Sequence, residues 1–447
     1  MTDDELTLTA DAVGTAGPGA VRNGMSVRAL AGAVRRPEAR RTMWSILDQA
    51  ASSIGNLALS VLVARYSTPR EFGAFGLAFA TYLLMLGASR GLCSLPLTLR
   101  FSAADDAERR HAARCSVGLS AAFGCLLAFP VLVVGLMVHG VMRQGLLPLA
   151  LITPALLVQD SWRYAFFAMA IPIQSMWNDL VWTGAQLVLF GGLIATGHAT
   201  VSALFLTWGF GAAVAAAFGV VQSKLWPTVR GGLLWLRAQR DIAPSLTLES
   251  IAVSGSSQLT LFCVAAAGGL TSVAALRAAG VVLGPIATLF TGVVFALAPE
   301  AVRLHRRAPE RLVQFTTGAA IALATIAAIG GCASLLIPAH IGRALLGDNW
   351  AIGRPLFLPL TLGLAATGAL IGAMVGMRVL LAAKQTLVIR LVLLGSSMLA
   401  GSVGVLVGGA AGAQLGMSLA GCAVTVLAWV WFRRLLASSR TMTGANA

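Results

Sequence analysis

Twelve stretches of about twenty mostly apolar residues, the length a helix needs to cross a bilayer, follow one another through this chain with only short connections. They lie near 42–64, 72–96, 115–138, 145–162, 177–196, 200–222, 243–266, 272–298, 313–337, 355–377, 387–408 and 412–432. Backbone in hydrocarbon must satisfy its own N–H and C=O groups, so runs of this length are read as helices. With 57% hydrophobic and 11% charged residues among 447, a water-soluble fold would lack the polar groups to cover its surface. The expectation is an all-α polytopic membrane protein with about 12 transmembrane helices.

The charge balance adds orientation. There are 32 Lys and Arg against 17 Asp and Glu, a net charge of +15. A basic soluble domain would point to nucleic acid, but no segment between the apolar runs is long enough to form one, so no nucleic-acid partner is expected. In a membrane protein, excess Lys and Arg marks the cytoplasmic loops. With a cytoplasmic N-terminus and strict alternation, 25 of the 32 basic residues fall inside and 5 outside, while Arg90 and Arg277 fall within spans. Both termini are therefore expected in the cytoplasm. Residues 1–41 lack the run of roughly 7–15 apolar residues that marks a signal peptide. They are read as a disordered cytoplasmic tail ending in Arg35, Arg36, Arg40 and Arg41. The connection 223–242 mixes Trp226 and Trp235 with Lys224, Arg230, Arg237 and Arg240, the pattern of an interfacial segment. It separates an N-lobe at 42–222 from a C-lobe at 243–435, with 436–447 as a cytoplasmic C-terminal tail.

An internal repeat supports two lobes. An offset of 201 aligns residues 42–79 with 243–280 without gaps, and Asp48 then falls on Glu249. Pro96 and Pro299, each closing the following span, coincide within two positions. This predicts two pseudo-equivalent six-helix lobes around a central cavity, related by an axis along the membrane normal. Span one carries Asp48, Ser52, Asn56 and Ser60 four residues apart, beside Gln49; span seven carries Glu249, Ser250, Ser254 and Gln258. On helices these are polar stripes. They either line the cavity or join helices by hydrogen bonds. Arg90 and Arg277 are embedded charges, costing about 2.5–3.5 kcal/mol each on insertion scales. Each either presents its fork to an anionic group such as pyrophosphate or snorkels to the interface. Pairing with Asp48 is a further option for Arg90. The pairs Asp160/Arg163 and Asn178/Asp179 flank the connection between spans four and five and are read as interfacial caps and ion pairs.

Signals for enzyme chemistry are poor. The five histidines are isolated, the six cysteines have no metal-type or disulfide-type spacing, and there is no GxxxxGK[ST] phosphate loop. No enzyme activity, metal or other cofactor is expected.

The segment Trp44–Ala80 resembles the opening of polysaccharide-transporter flippases of the multidrug/oligosaccharidyl-lipid/polysaccharide exporter superfamily. That family ends span one with A-R-x-L-G-P-x-E-[FY]-G; here the turn reads Ala64-Arg65-Tyr66-Ser67-Thr68-Pro69-Arg70-Glu71-Phe72-Gly73, with Ser-Thr replacing Leu-Gly. Asn178-Asp179-Leu180, Ala274–Pro285 and Leu345-Leu346-Gly347-Asp348-Asn349-Trp350 are further family-like stretches. The resemblance implies a multi-pass protein of the bacterial plasma (inner) membrane. It would move an undecaprenyl-pyrophosphate-linked oligosaccharide by alternating access for surface or secreted polysaccharide. The implied partners are the lipid-linked glycan, membrane lipids, a coupling proton or sodium ion, and a polysaccharide polymerase with export proteins. Competing readings are a cation-coupled multidrug exporter of the same superfamily, a membrane-embedded transferase, and a non-transporting component of a secretion complex.

Overall fold

The computed structural model describes residues 53–445, which are helical throughout apart from short connections and contain no strand. The helices are α1 Ser53–Arg65, α2 Pro69–Phe101, α3 Asp106–Met137, α4 Val141–Ala168, α5 Pro172–Ala195, α6 Val201–Ser223, the short α7 Val229–Ala238, and α8 Ala243–Arg307. Then come α9 Leu312–Leu335, the short α10 Ala339–Leu346 and α11 Asn349–Gly353, α12 Phe357–Val379 and α13 Ala383–Ala445. Eight of these stretches are long and apolar enough to cross a membrane. Two of the eight are bent rods. α8 breaks at Gly269 (φ 73°), and α13 breaks at Gly408 and Gly409, the latter with φ 59°. Counting each arm separately, and adding α5 and α1, gives the twelve rods expected, in the expected order. The tail at 1–41 lies outside the described residues.

Several helices run further than hydropathy alone suggests. α3 begins at Asp106 rather than near 115, because Asp105 caps it, its side chain accepting from the Glu108 N–H at 2.8 Å. α4 continues to Ala168 rather than ending near 162, and α5 starts at Pro172 rather than near 177. Asp160, Arg163, Asn178 and Asp179 are therefore inside helices and buried, not caps at an interface. A hydropathy window stops at the first charges, whereas a helix continues wherever those charges find partners.

The turn between α1 and α2 explains the motif that carries the resemblance. Thr68 is extended and caps α2. Its N–H donates to Glu71 Oε2 at 2.9 Å, the Glu71 N–H donates back to Thr68 Oγ1 at 3.4 Å, and Pro69 occupies the first turn. This reciprocal pairing satisfies two helix-start donors. The bend at Gly269 lies 201 residues beyond Thr68, so the start of α2 and the start of the second arm of α8 keep the register of the sequence repeat.

Within the first half, α2 and α6 pack through an aromatic column. Ring centroids are 5.2 Å apart for Phe75–Phe205, 5.5 Å for Phe205–Trp208 and 5.0 Å for Tyr82–Trp208. The second half relies on small residues and side chain to backbone bonds, as membrane bundles do. A Cβ on Gly376 would lie 2.4 Å from the Phe432 ring, and Trp429 Nε1 donates to the Ala369 carbonyl at 3.0 Å. The halves meet where α2 runs along α8. A Cβ at Gly73 would lie 2.0 Å from the Leu270 carbonyl oxygen, and one at Gly91 would lie 2.3 Å from Thr247 Cα. No larger residue fits this seam without separating the helices. At the end of the seam bearing the 65–68 turn, the buried Asn349 side chain donates from Nδ2 to the carbonyls of Ala64 (2.7 Å) and Ser67 (3.0 Å). Two family-like stretches almost three hundred residues apart are thus joined.

Candidate functional site

Arg277 lies in the seam between the halves, on the second arm of α8. Gly76 of α2 faces it, and a Cβ there would be 3.0 Å from Arg277 Cγ. Gly76 and Arg277 are also equivalent positions in the 201-residue repeat, and two equivalent positions can touch only close to the axis that relates them. The stem of the Arg277 side chain is therefore close to that axis. The guanidinium stacks over Phe79 at 4.6 Å and Phe75 at 5.9 Å. Its Nε is buried without a hydrogen-bond partner, and no carboxylate among the described residues pairs with it. A half-buried cation held by ring faces alone keeps its planar donor fork for another anion.

Arg90 is placed differently. It gives its fork to a carboxylate of the protein, binding Asp160 with both edges, Nε to Oδ2 at 2.9 Å and Nη2 to Oδ1 at 2.7 Å. It opens a π-helical turn, Arg90–Ser94, that interrupts α2. Asp160 also lies 3.8 Å from Arg163, which in turn pairs with Asp179. Gln159 Nε2 donates to Asp179 Oδ1 at 2.7 Å, and Asn178 Nδ2 donates to the Ala215 carbonyl at 2.7 Å. Two arginines and two aspartates, on α2, α4 and α5, balance one another. Sequence reasoning located these four charges but not the network, in which the directly paired Arg90 and Asp160 are 70 residues apart in the chain. The available signal was the cluster of charges of both signs close to the 4–5 connection, with Arg90 as a further embedded charge on α2.

Of the polar stripes, Asp48, Gln49 and Ser52 lie outside the described residues, as does the Ser254 side chain. Asn56 is half-buried on α1, and its carbonyl oxygen accepts from Ser60 Oγ at 2.9 Å. Neighbouring Gly55 abuts Gln186 of α5, where a Cβ would be 2.6 Å from Nε2. On α8, Ser250 and Gln258 are half-buried, and Gln258 donates to Ser257 at 2.8 Å. Glu249 is exposed and within electrostatic reach of Arg390 on α13. Among the described residues no group of three or more His, Cys, Asp or Glu side chains is placed to hold a metal ion.

The fold is that of transporters of the MOP superfamily. The chain is similar to a multidrug-resistance MATE family transporter in an inward-facing conformation, with TM-score 0.70 and 15% identity over 87% of this chain and 96% of that one. It is also similar to the lipid II flippase MurJ in an inward closed conformation, with TM-score 0.65 and 15% identity over 90% and 91%. A MOP superfamily transporter from Pyrococcus furiosus matches with TM-score 0.54 and 15% identity over 90% and 96%. No family model matches the sequence, and no curated protein matches it.

Proposed function

We propose that this protein is a flippase that carries a lipid-linked, pyrophosphate-bearing oligosaccharide across the bacterial plasma membrane by alternating access, with both termini cytoplasmic. The observation that carries the reading is Arg277, an uncommitted guanidinium on a stem close to the axis between the two halves. Flipping such a headgroup unaided is slow, because its charges and hydroxyls must cross about 30 Å of hydrocarbon. A cationic group on such a stem replaces part of the lost hydration, and its aromatic supports keep the fork in place without neutralising it. The similarity to a lipid II flippase supports a lipid-linked cargo. The coupling proton or sodium, the polymerase and the export proteins belong to the same proposal.

The similarity to multidrug transporters favours a second reading, export of cationic drugs. A gene deletion separates the two. The flippase reading expects the lipid-linked unit to accumulate on the inner leaflet while surface or secreted polysaccharide disappears. Normal polysaccharide with new sensitivity to cationic dyes would establish the drug exporter instead.

The proposed orientation has its own check in a cysteine-free background. Exposed Arg306, replaced by Cys, should react with an impermeant maleimide only from the cytoplasm, and Asp348→Cys only from outside. The opposite pattern would overturn the topology.

A further inference from the structure

The short helix α7 has two faces of different character. Gly232 and Trp235 are buried. They seat the helix on α3, where the two backbones come close. A Cβ on Gly118 would lie 2.3 Å from the Thr228 carbonyl oxygen, and one on Gly232 would lie 2.7 Å from the Cys115 carbonyl oxygen. The segment is clamped at both ends to the first half. Thr228 N–H donates to the Arg114 carbonyl at 3.2 Å, and Arg114 Nε donates to the Trp226 carbonyl at 3.0 Å. At the other end Arg100 pairs with Asp241 and donates to Gln239 Oε1 at 2.8 Å. The hydrogen bond from Arg100 holds the Asp241 carboxyl below the usual carboxylate range, so this clamp stays charged.

The outward face reads Arg230, Leu233, Leu234 and Arg237, spaced by three, four and seven residues on one side of a helix. Leu234 is 66% exposed, and Trp226, just before the helix, is 76% exposed. Arg230, Arg237 and Arg240 are exposed, and none of them enters an ion pair among the described residues. Water would leave the leucines and tryptophan as a bare apolar patch. Hydrocarbon would leave three guanidinium groups unsolvated. The boundary between headgroups and acyl chains satisfies both, and positive charge selects negative headgroups there.

We propose that the outer face of α7 is a binding surface for anionic phospholipid, with Trp226, Leu233 and Leu234 among the upper acyl carbons and Arg230, Arg237 and Arg240 on the phosphates. Because α7 is fastened to α2 and α3, bound lipid holds the first half at a set depth, and this surface is independent of what the seam transports.

The test uses the full chain in neutral detergent, titrated with phosphatidylglycerol or phosphatidylcholine and followed by its unfolding midpoint. Phosphatidylglycerol should raise the midpoint and phosphatidylcholine should not. A basic residue at a membrane surface contributes roughly a fivefold gain in affinity. The Arg230→Gln/Arg237→Gln/Arg240→Gln variant should therefore need about a hundredfold more phosphatidylglycerol for half the shift. The same shift in that variant as in wild type, or an equal shift produced by inorganic phosphate, would overturn the proposal. A second measurement does not depend on the variant. A bimane label on Leu234→Cys, in bilayers containing phosphatidylglycerol, should be quenched by a lipid spin-labelled near the headgroup and protected from aqueous iodide. Quenching by iodide alone would also overturn it.

Discussion

Replacing Arg277 with Gln should lower export about 10- to 100-fold, because a hydrogen bond to a charged group contributes about 1.5–3 kcal/mol. Arg277→Lys should lose less, since Lys keeps the charge but not the planar fork, and Arg277→Glu should abolish transport by repelling an anionic cargo. The geometry makes the folding cost small. The side chain pairs with no carboxylate among the described residues, and its stem lies against Gly76. Unfolding midpoints of the variants in detergent should stay near that of the wild-type protein while export in whole cells falls. Wild-type export by Arg277→Gln would remove the observation on which the flippase reading stands. A fall in export for Lys equal to that for Glu would mean that the shape of the group, not its charge, is what matters.

The opposite pattern is expected for the buried network. Asp160→Asn leaves Arg90 without its bidentate partner and weakens the support of Arg163. Removing one member of a buried pair costs about 3–5 kcal/mol, because an uncompensated charge remains. The unfolding midpoint should drop sharply, and export should fall only as far as folded protein falls. Replacing the whole pair, Arg90→Met with Asp160→Leu, should recover most of the midpoint, since two apolar side chains leave no charge behind. If the double replacement is as stable as wild type yet inactive, the network has a part in transport that its neutral charge balance does not suggest.

What could be read from the sequence follows the range of the interactions involved. The twelve rods and the capping turn at Thr68–Glu71 depend on residues within a few positions of each other, and hydropathy and motif expose them. The Arg90–Asp160 pair does not follow such a rule, because 70 residues separate its members and only the packing of α2 on α4 brings them together. The same limit blurred the helix ends around Asp160 and Asp179, where charge looked like an interface and was in fact a paired interior. Arg277 was found as an isolated charge. The closeness of its stem to the repeat axis emerged only when the repeat register could be combined with the contact to Gly76. Glu249, an acid in an apolar run, is exposed near the start of α8.

The bond between Asn349 and the 65–68 turn has a consequence for how this sequence can vary. Both oxygens that Asn349 reaches, on Ala64 and Ser67, are peptide carbonyls, and Gly347 likewise approaches the carbonyl of Arg65 to a distance that leaves no room for a methyl group. The contact therefore registers the path of the chain and not the identity of its side chains. Substitutions at Arg65 and Tyr66, both exposed, can accumulate there without disturbing the join, whereas one inserted or deleted residue would move both acceptors together. Drift at this turn should accordingly change its letters while its length stays constant.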